Sequence, residues 1–256
     1  MTVIPIVIAA VLPVAILIYY IYYKDPVKEP PMQLVRGFGY GLIAAVIAVV
    51  VEVLLQVVGI VSAEPDGVLS SINLAFVGAA IPEEAAKLLM LWLLLRKNRH
   101  FDEYFDGVVY AASIGLGFAA IENVGYLFGN IDQWLGVAVM RGIFSVPAHF
   151  AFAVIMGYFY SLIHIGGRHT RRNMFLVIAA PVSAHGAFDA ALMAATVGDI
   201  AAVVFAVLFL IVCWRLVIVC KRHIRTMRAF DSIPKAPVPP PFPPVYPPTD
   251  NYQNNY

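Results

Sequence analysis

Charge is what this 256-residue chain lacks. Asp, Glu, Lys and Arg make up 13% of it, against roughly a quarter in a soluble globular domain. Hydrophobic residues make up 61%, and the mean hydropathy is +0.81. Cysteine is nearly absent too. Cys213 and Cys220 both fall in the last apolar run, which excludes a disulfide framework and leaves them as membrane-facing packing residues. The first apolar run has neither a basic leader nor a small-residue cleavage site, so it reads as a retained helix rather than a signal peptide. No stretch has the composition of a soluble domain, so any chemistry takes place in or at the bilayer. Nothing in the pattern points to nucleic acid.

What the chain does have is long apolar runs. A spanning helix needs about 20 apolar residues. Seven stretches qualify, near 2–23, 34–61, 71–95, 107–128, 134–164, 174–196 and 200–220. Lys and Arg fall in alternate connections: Lys24, Lys28 and Arg36, then Arg96, Lys97 and Arg99, then Arg168, Arg171 and Arg172, then Lys221, Arg222, Arg225 and Arg228. The intervening connections hold Glu64, Asp66, Asp132 and Asp199 and no basic residue. The positive-inside rule then gives an external N-terminus and a cytoplasmic C-terminus. The expected fold is an all-α polytopic bundle of about seven transmembrane helices. Retained first helix and basic inner loops suit a prokaryotic plasma membrane. The membrane domain is expected over 1–228. Residues 229–256 form a tail in which the run 234–248 holds nine of the chain's 18 prolines. Such a run favours extended polyproline II and builds no core. It reads as a disordered cytoplasmic tail, with docking of a cytoplasmic partner as the alternative.

Polar residues interrupt the apolar runs where each should cross the membrane. The third run carries Glu83, Glu84 and Lys87, the fourth Phe118, Glu122 and Asn123, the fifth Pro147 and His149, and the sixth His185 and Asp189. Glu83 and Lys87 are four apart and share a helix face, as do His185 and Asp189, while Glu84 points about 100° from Glu83. At 1.5 Å per residue, these positions cluster in the middle to outer half of the bilayer. A charge at that depth costs about 2.5–3.5 kcal/mol on insertion scales and marks function more often than structure. Four acidic groups facing one lysine cannot all be ionised in a dry interior. The excess requires protonated carboxyls, a charged histidine, a bound metal or a water-filled cavity. Pro82, Pro147 and Pro181 precede Glu83, His149 and His185 by one, two and four residues, and a proline inside a helix frees a backbone carbonyl. The small residues of the fourth run, Ala111, Ser113, Gly115, Gly117 and Gly125, read as plain packing. Glu52, alone on the second run, reads as a capped or water-contacting carboxyl. Arg141 reads as a snorkelling anchor that could also neutralise part of the acidic set.

In order, Glu83-Glu84-x-x-Lys87, Phe118-x-x-x-Glu122, His149 and His185-x-x-x-Asp189 resemble the PrsW family of intramembrane proteases, and more distantly the CAAX-processing and bacteriocin-processing membrane endopeptidases. The match covers residues 80–192. The resemblance implies hydrolysis of a peptide bond in a membrane-anchored protein, of which anti-sigma factors are one class. It implies Glu83, Glu84, Glu122, His149 and His185 as catalytic, with Lys87, Asp189, Phe118 and Asn123 in support. Either Glu83 or Glu84 would activate water, the histidines would stabilise the oxyanion or protonate the leaving amine, and Asp189 would orient a histidine. No Ser or Cys nucleophile stands at this depth. A metal-independent glutamate route is preferred. The competing route places Zn²⁺ on His149, His185, Glu84 and Glu122, although the H-E-x-x-H spacing is absent. A proton-coupled transporter is the alternative from a different class, but no inverted repeat is visible. A non-catalytic scaffold subunit of a membrane complex is the third reading.

Overall fold

The computed structural model describes residues 3–195 and 199–233, and their regular structure is all helical, with no strand among them. The order is α1 (Val3–Lys24), α2 (Pro31–Val57), α3 (Val68–Asn73), a π-helical segment (Leu74–Ala80), α4 (Ile81–Leu95) and α5 (Tyr104–Gly129). A 3-10 turn (Ile131–Gln133), α6 (Trp134–Met140), a second π-helical segment (Arg141–Ser145), α7 (Val146–His164), α8 (Arg171–Ala194) and α9 (Asp199–Asp231) follow. The pieces join into seven rods, as expected. Six rods are long and apolar enough to cross a membrane: 3–24, 31–57, 104–129, 131–164, 171–194 and 202–231. The seventh, α3 through α4, is interrupted by its π segment and carries Glu83, Glu84 and Lys87.

The rod α5 is the axis of the bundle. It is buried on all sides from Phe105 to Ala120 and packs mainly against α7 and α2, with α1 and α9 also touching it. Apolar side chains gain little by leaving lipid for protein, so helix association in a membrane depends on close packing instead. The sequence supplies it through reciprocal glycines. A Cβ on Gly41 of α2 would strike the Ile114 carbonyl, and one on Gly117 of α5 would strike the Phe38 carbonyl. On another face of α5, Gly107 and Gly157 of α7 make the same backbone-to-backbone approach.

The loops rich in basic residues converge at one end. Asp231, at the end of α9, caps α5 by accepting from the amides of Tyr104 (2.7 Å) and Phe105 (2.8 Å). Arg168 lies over the Phe230 ring. In the connection between α1 and α2, Glu29 accepts from the Tyr110 hydroxyl, and burial pushes the carboxyls of Asp25 and Glu29 above their usual range. The helix α9 thus continues three residues past position 228 into this capping contact. From residue 234 onward the proline-rich run lies outside the described residues.

The glycine crossings give a direct check. Gly117→Leu should lower the unfolding temperature of the detergent-solubilised protein markedly, because overpacking costs about 1–3 kcal/mol even where side chains can yield, and here the neighbour is backbone. Gly125→Ala, with nothing within 4 Å of the new methyl, should leave it unchanged.

Candidate active site

Two rods deliver their polar residues through the same local device. The segment Leu74–Ala80 closes with the Ile81 amide reaching the Phe76 carbonyl, and Arg141–Ser145 closes with the Val146 amide reaching the Arg141 carbonyl. Both are five-residue spacings, the signature of a π-turn, which recurs at functional sites. A proline stands two residues beyond each, Pro82 and Pro147, where it donates no backbone bond. Glu83 and Glu84 follow the first, and His149 the second.

These side chains converge with those of α8. The buried Lys87 ammonium donates to Glu84 Oε1 (2.8 Å) and Glu83 Oε2 (3.1 Å), and lies 3.3 Å from His149 Nδ1 and 3.9 Å from the centre of the Phe118 ring. Lys87 therefore pairs with both glutamates, more closely with Glu84 than the four-residue spacing to Glu83 suggested. A position three residues back also lies on the lysine's side of a helix. The rings of His149 and His185 are 5.3 Å apart, and Phe152 stacks on His185 at 4.6 Å. His185 Nδ1 faces Glu84 Oε1 at 2.9 Å, and its Nε2 faces Asp189 Oδ2 at 3.1 Å. Glu84 is wholly buried, and its Oε2 has no hydrogen-bond partner.

The geometry orders the protons on His149. An ammonium can only donate, so Nδ1, facing Lys87, must accept. The ring proton then sits on Nε2, which faces Glu122 Oε2 at 2.6 Å. Arg141 Nη2 reaches the same carboxylate oxygen at 2.9 Å. Arg141 Nε donates to Asn123 Oδ1 (2.6 Å), and its guanidinium covers the Tyr126 ring at 4.0 Å. Asn123 Nδ2 donates to the Ala10 carbonyl of α1 (3.2 Å). Every residue that the resemblance implies as catalytic or supporting thus lies in one connected network spanning α4, α5, α7 and α8. Arg141 does not snorkel: its side chain is only 13% exposed and ion-paired. The α1 rod joins through a backbone carbonyl.

Glu52 is the acidic residue that sequence reasoning set aside. It continues the buried face of α2 that carries Ala45 and Ala48, and is itself partly buried. Its spacing from Ala48 and Ala45, four and seven residues, is the signal that points it toward the site.

Glu83, Glu84, His149 and His185 each offer a donor atom, all within 4.8 Å of one another. Two imidazoles and two carboxylates are suitable donors for a zinc-like ion, and the free Glu84 oxygen suits a ligand. The donor set fits such an ion by its chemistry, and the Lys87 ammonium is bonded to carboxylate oxygens of the same set. Glu122, included in the expected ligand set, lies outside this group and is paired with Arg141 and His149, whereas Glu83 lies within it.

The region that matches known proteins contains all of these residues. The family described as PrsW family intramembrane metalloprotease matches residues 29–215. The chain belongs to the PrsW family. Protease PrsW of Clostridioides difficile is 33% identical over 211 residues, which cover 81% of this chain and 86% of that protease. Protease PrsW of Geobacillus kaustophilus is 32% identical over 73% of this chain and 79% of its own, and that of Bacillus subtilis is 28% identical over 71% and 79%. No solved structure matches. The protein is accordingly an integral membrane peptidase with bacterial relatives, and the transporter and scaffold readings give way. The family is metalloprotease-type, which counts against the metal-free route preferred from sequence.

The Arg141 contacts predict a separable effect. Arg141→Gln should reduce kcat at least tenfold with KM little changed, because Glu122 loses the partner that holds it on His149. Asn123→Leu should act in the same direction more weakly. Equal changes in kcat and KM for Arg141→Gln would contradict this placement.

Proposed function

We propose that this PrsW-family peptidase hydrolyses a peptide bond of a membrane-anchored protein, with an anti-sigma factor as one candidate substrate, through water activated by the glutamates of α4. The observation that carries the reading is the meeting of Glu83, Glu84, His149 and His185 within 4.8 Å in helices that are otherwise apolar. The basic end of the bundle is cytoplasmic in this reading, by the positive-inside rule, which puts the site toward the outer leaflet.

Glu84 is fixed by Lys87 and His185 at one oxygen. Glu83 has the looser setting, with Lys87 at 3.1 Å and His185 Nε2 at 3.9 Å, and it is 6% exposed whereas Glu84 is 0%. Glu83 is therefore the carboxylate free to turn toward a water and take its proton, with Glu84 holding His185 in place. His185, oriented by Asp189, supplies the donor for the developing oxyanion or the leaving amine. His149, tied to Glu122, lines the opposite wall. Of that donor group, Glu84, His149 and His185 would hold a zinc ion and leave Glu83 free as the base, and the ion would supply Lewis acidity at the scissile carbonyl.

Glu83→Gln and Glu84→Gln, each expressed and folded as the parent, should abolish cleavage, losing at least 100-fold in kcat. Proteomics of shed membrane-protein fragments should show one set of fragments missing from cells carrying either variant. Cleavage at the parental rate by both variants would sink the reading. Elemental analysis tests the metal: the parent should carry about one zinc per chain, lost together with activity in chelator and restored on adding zinc back. Full activity in metal-free protein would return the mechanism to glutamate and histidine alone.

A further inference from the structure

On the side of α7 away from the site lies an apolar groove of about 200 Å³ between α1 and α9, floored by α7 and α8. Phe144, Pro147, Phe188 and Leu216 line it, with Tyr20 and Lys221 among its other walls. Pro147 and Phe188 are close neighbours in sequence of His149 and Asp189, yet His149 leaves the opposite side of its helix, since two residues advance a helix by about 200°. The groove is therefore not the entry to the active site.

Its two ends differ in character. One is wholly apolar. The other coincides with the basic end of the bundle: Lys221 is in the wall, the Lys24 ammonium lies 5.6 Å from the centre of the Tyr20 ring, and Arg228 acts electrostatically on Tyr20. No carboxylate lines the groove. A slot long enough for part of an acyl chain, crowned by cations at one membrane face, is the arrangement by which basic pockets between spanning helices take anionic lipid headgroups.

We propose that this groove binds one anionic phospholipid of the leaflet at the basic end. An acyl chain lies against Phe144, Pro147 and Leu216, and the headgroup phosphate is held by Lys221 and Lys24 with Arg228 nearby. The chain then packs on the back of the helices that carry His149 and Asp189 and fills space that would otherwise leave α7 unsupported between α1 and α9. The occupant is recognised by charge at one end and by shape along the rest.

The test uses the full chain in phosphatidylcholine nanodiscs with or without phosphatidylglycerol, read by native mass spectrometry. One phosphatidylglycerol should be retained in preference to phosphatidylcholine. The double change Lys24→Gln with Lys221→Gln should reduce that retention about 30-fold, at the roughly tenfold or less per cation expected of surface lysines. Arg171→Gln with Arg172→Gln, exposed at the start of α8, should not change it. The native thiols give a second readout, because Cys213 and Cys220 are the chain's two cysteines and both line the groove. Phosphatidylglycerol should slow maleimide modification of Cys213 in the parent but not in the lysine double variant. Equal retention of the two lipids, or retention that ignores the lysine changes, would overturn the proposal. So would thiol protection that persists without lipid and disappears when residues 234–256 are deleted, which would give the groove to the chain's own tail.

Discussion

One ammonium group holds the centre of this protein together. Lys87 sits in the interior of a membrane bundle, where a lone charge is costly, and it contacts both Glu83 and Glu84 as well as His149 and the Phe118 face. Three rods thus meet at a single nitrogen. Removing it would leave two buried carboxylates without a counter-charge, a class of change that costs about 3–5 kcal/mol. The positions of His185, through Glu84, and of Glu122, through His149, are set relative to that nitrogen. Glycine crossings on either side of α5 bring the rods close enough for the contact to exist, so packing and electrostatics here are one constraint.

The π segments answer a geometric problem. A straight α-helix repeats every 3.6 residues, and a rod that packs its apolar stripe on α5 cannot freely choose where its polar residues point. One extra residue in a turn shifts everything beyond it around the axis. The device occurs just before Glu83 and again just before His149, and the following prolines keep the ladder from closing normally. The third proline, Pro181, lies inside α8 without such a segment. There the His185–Asp189 pair needs only a four-residue spacing on an ordinary helix face to present both groups.

That difference explains what could be read from sequence. The rods follow from hydropathy, and the Glu83–Lys87 and His185–Asp189 pairs follow from spacing within one helix. The depth clustering of Glu122 and His149 follows from counting along separate helices. Arg141 could not be read in the same way. It opens a π segment, so its direction is not given by the regular period, and proximity to a helix end suggested an anchor first and a counter-charge to the acidic set second, of which the ion pair with Glu122 bears out the second. Glu52 was set aside because no second charged residue shares its helix face, although it continues the buried stripe of Ala45 and Ala48. The interruption of the third rod leaves no mark in an apolar run, since Leu74–Ala80 is as hydrophobic as its neighbours.

The network also divides the site's two cations between separate sets of partners. His149 is turned so that one nitrogen meets Lys87 and the other meets Glu122. The carboxylates divide accordingly, Glu83 and Glu84 to Lys87, and Glu122 to Arg141. The first group contains all the carboxylates in the four-residue donor set, so the lysine holds the oxygens that a divalent ion would use. The second group has a cation of its own. Glu122 and Arg141 thus hold His149 from the side away from Lys87. That independence is a physical reason to place the arginine in a different rod segment from the lysine, rather than to gather both cations around one pair of glutamates.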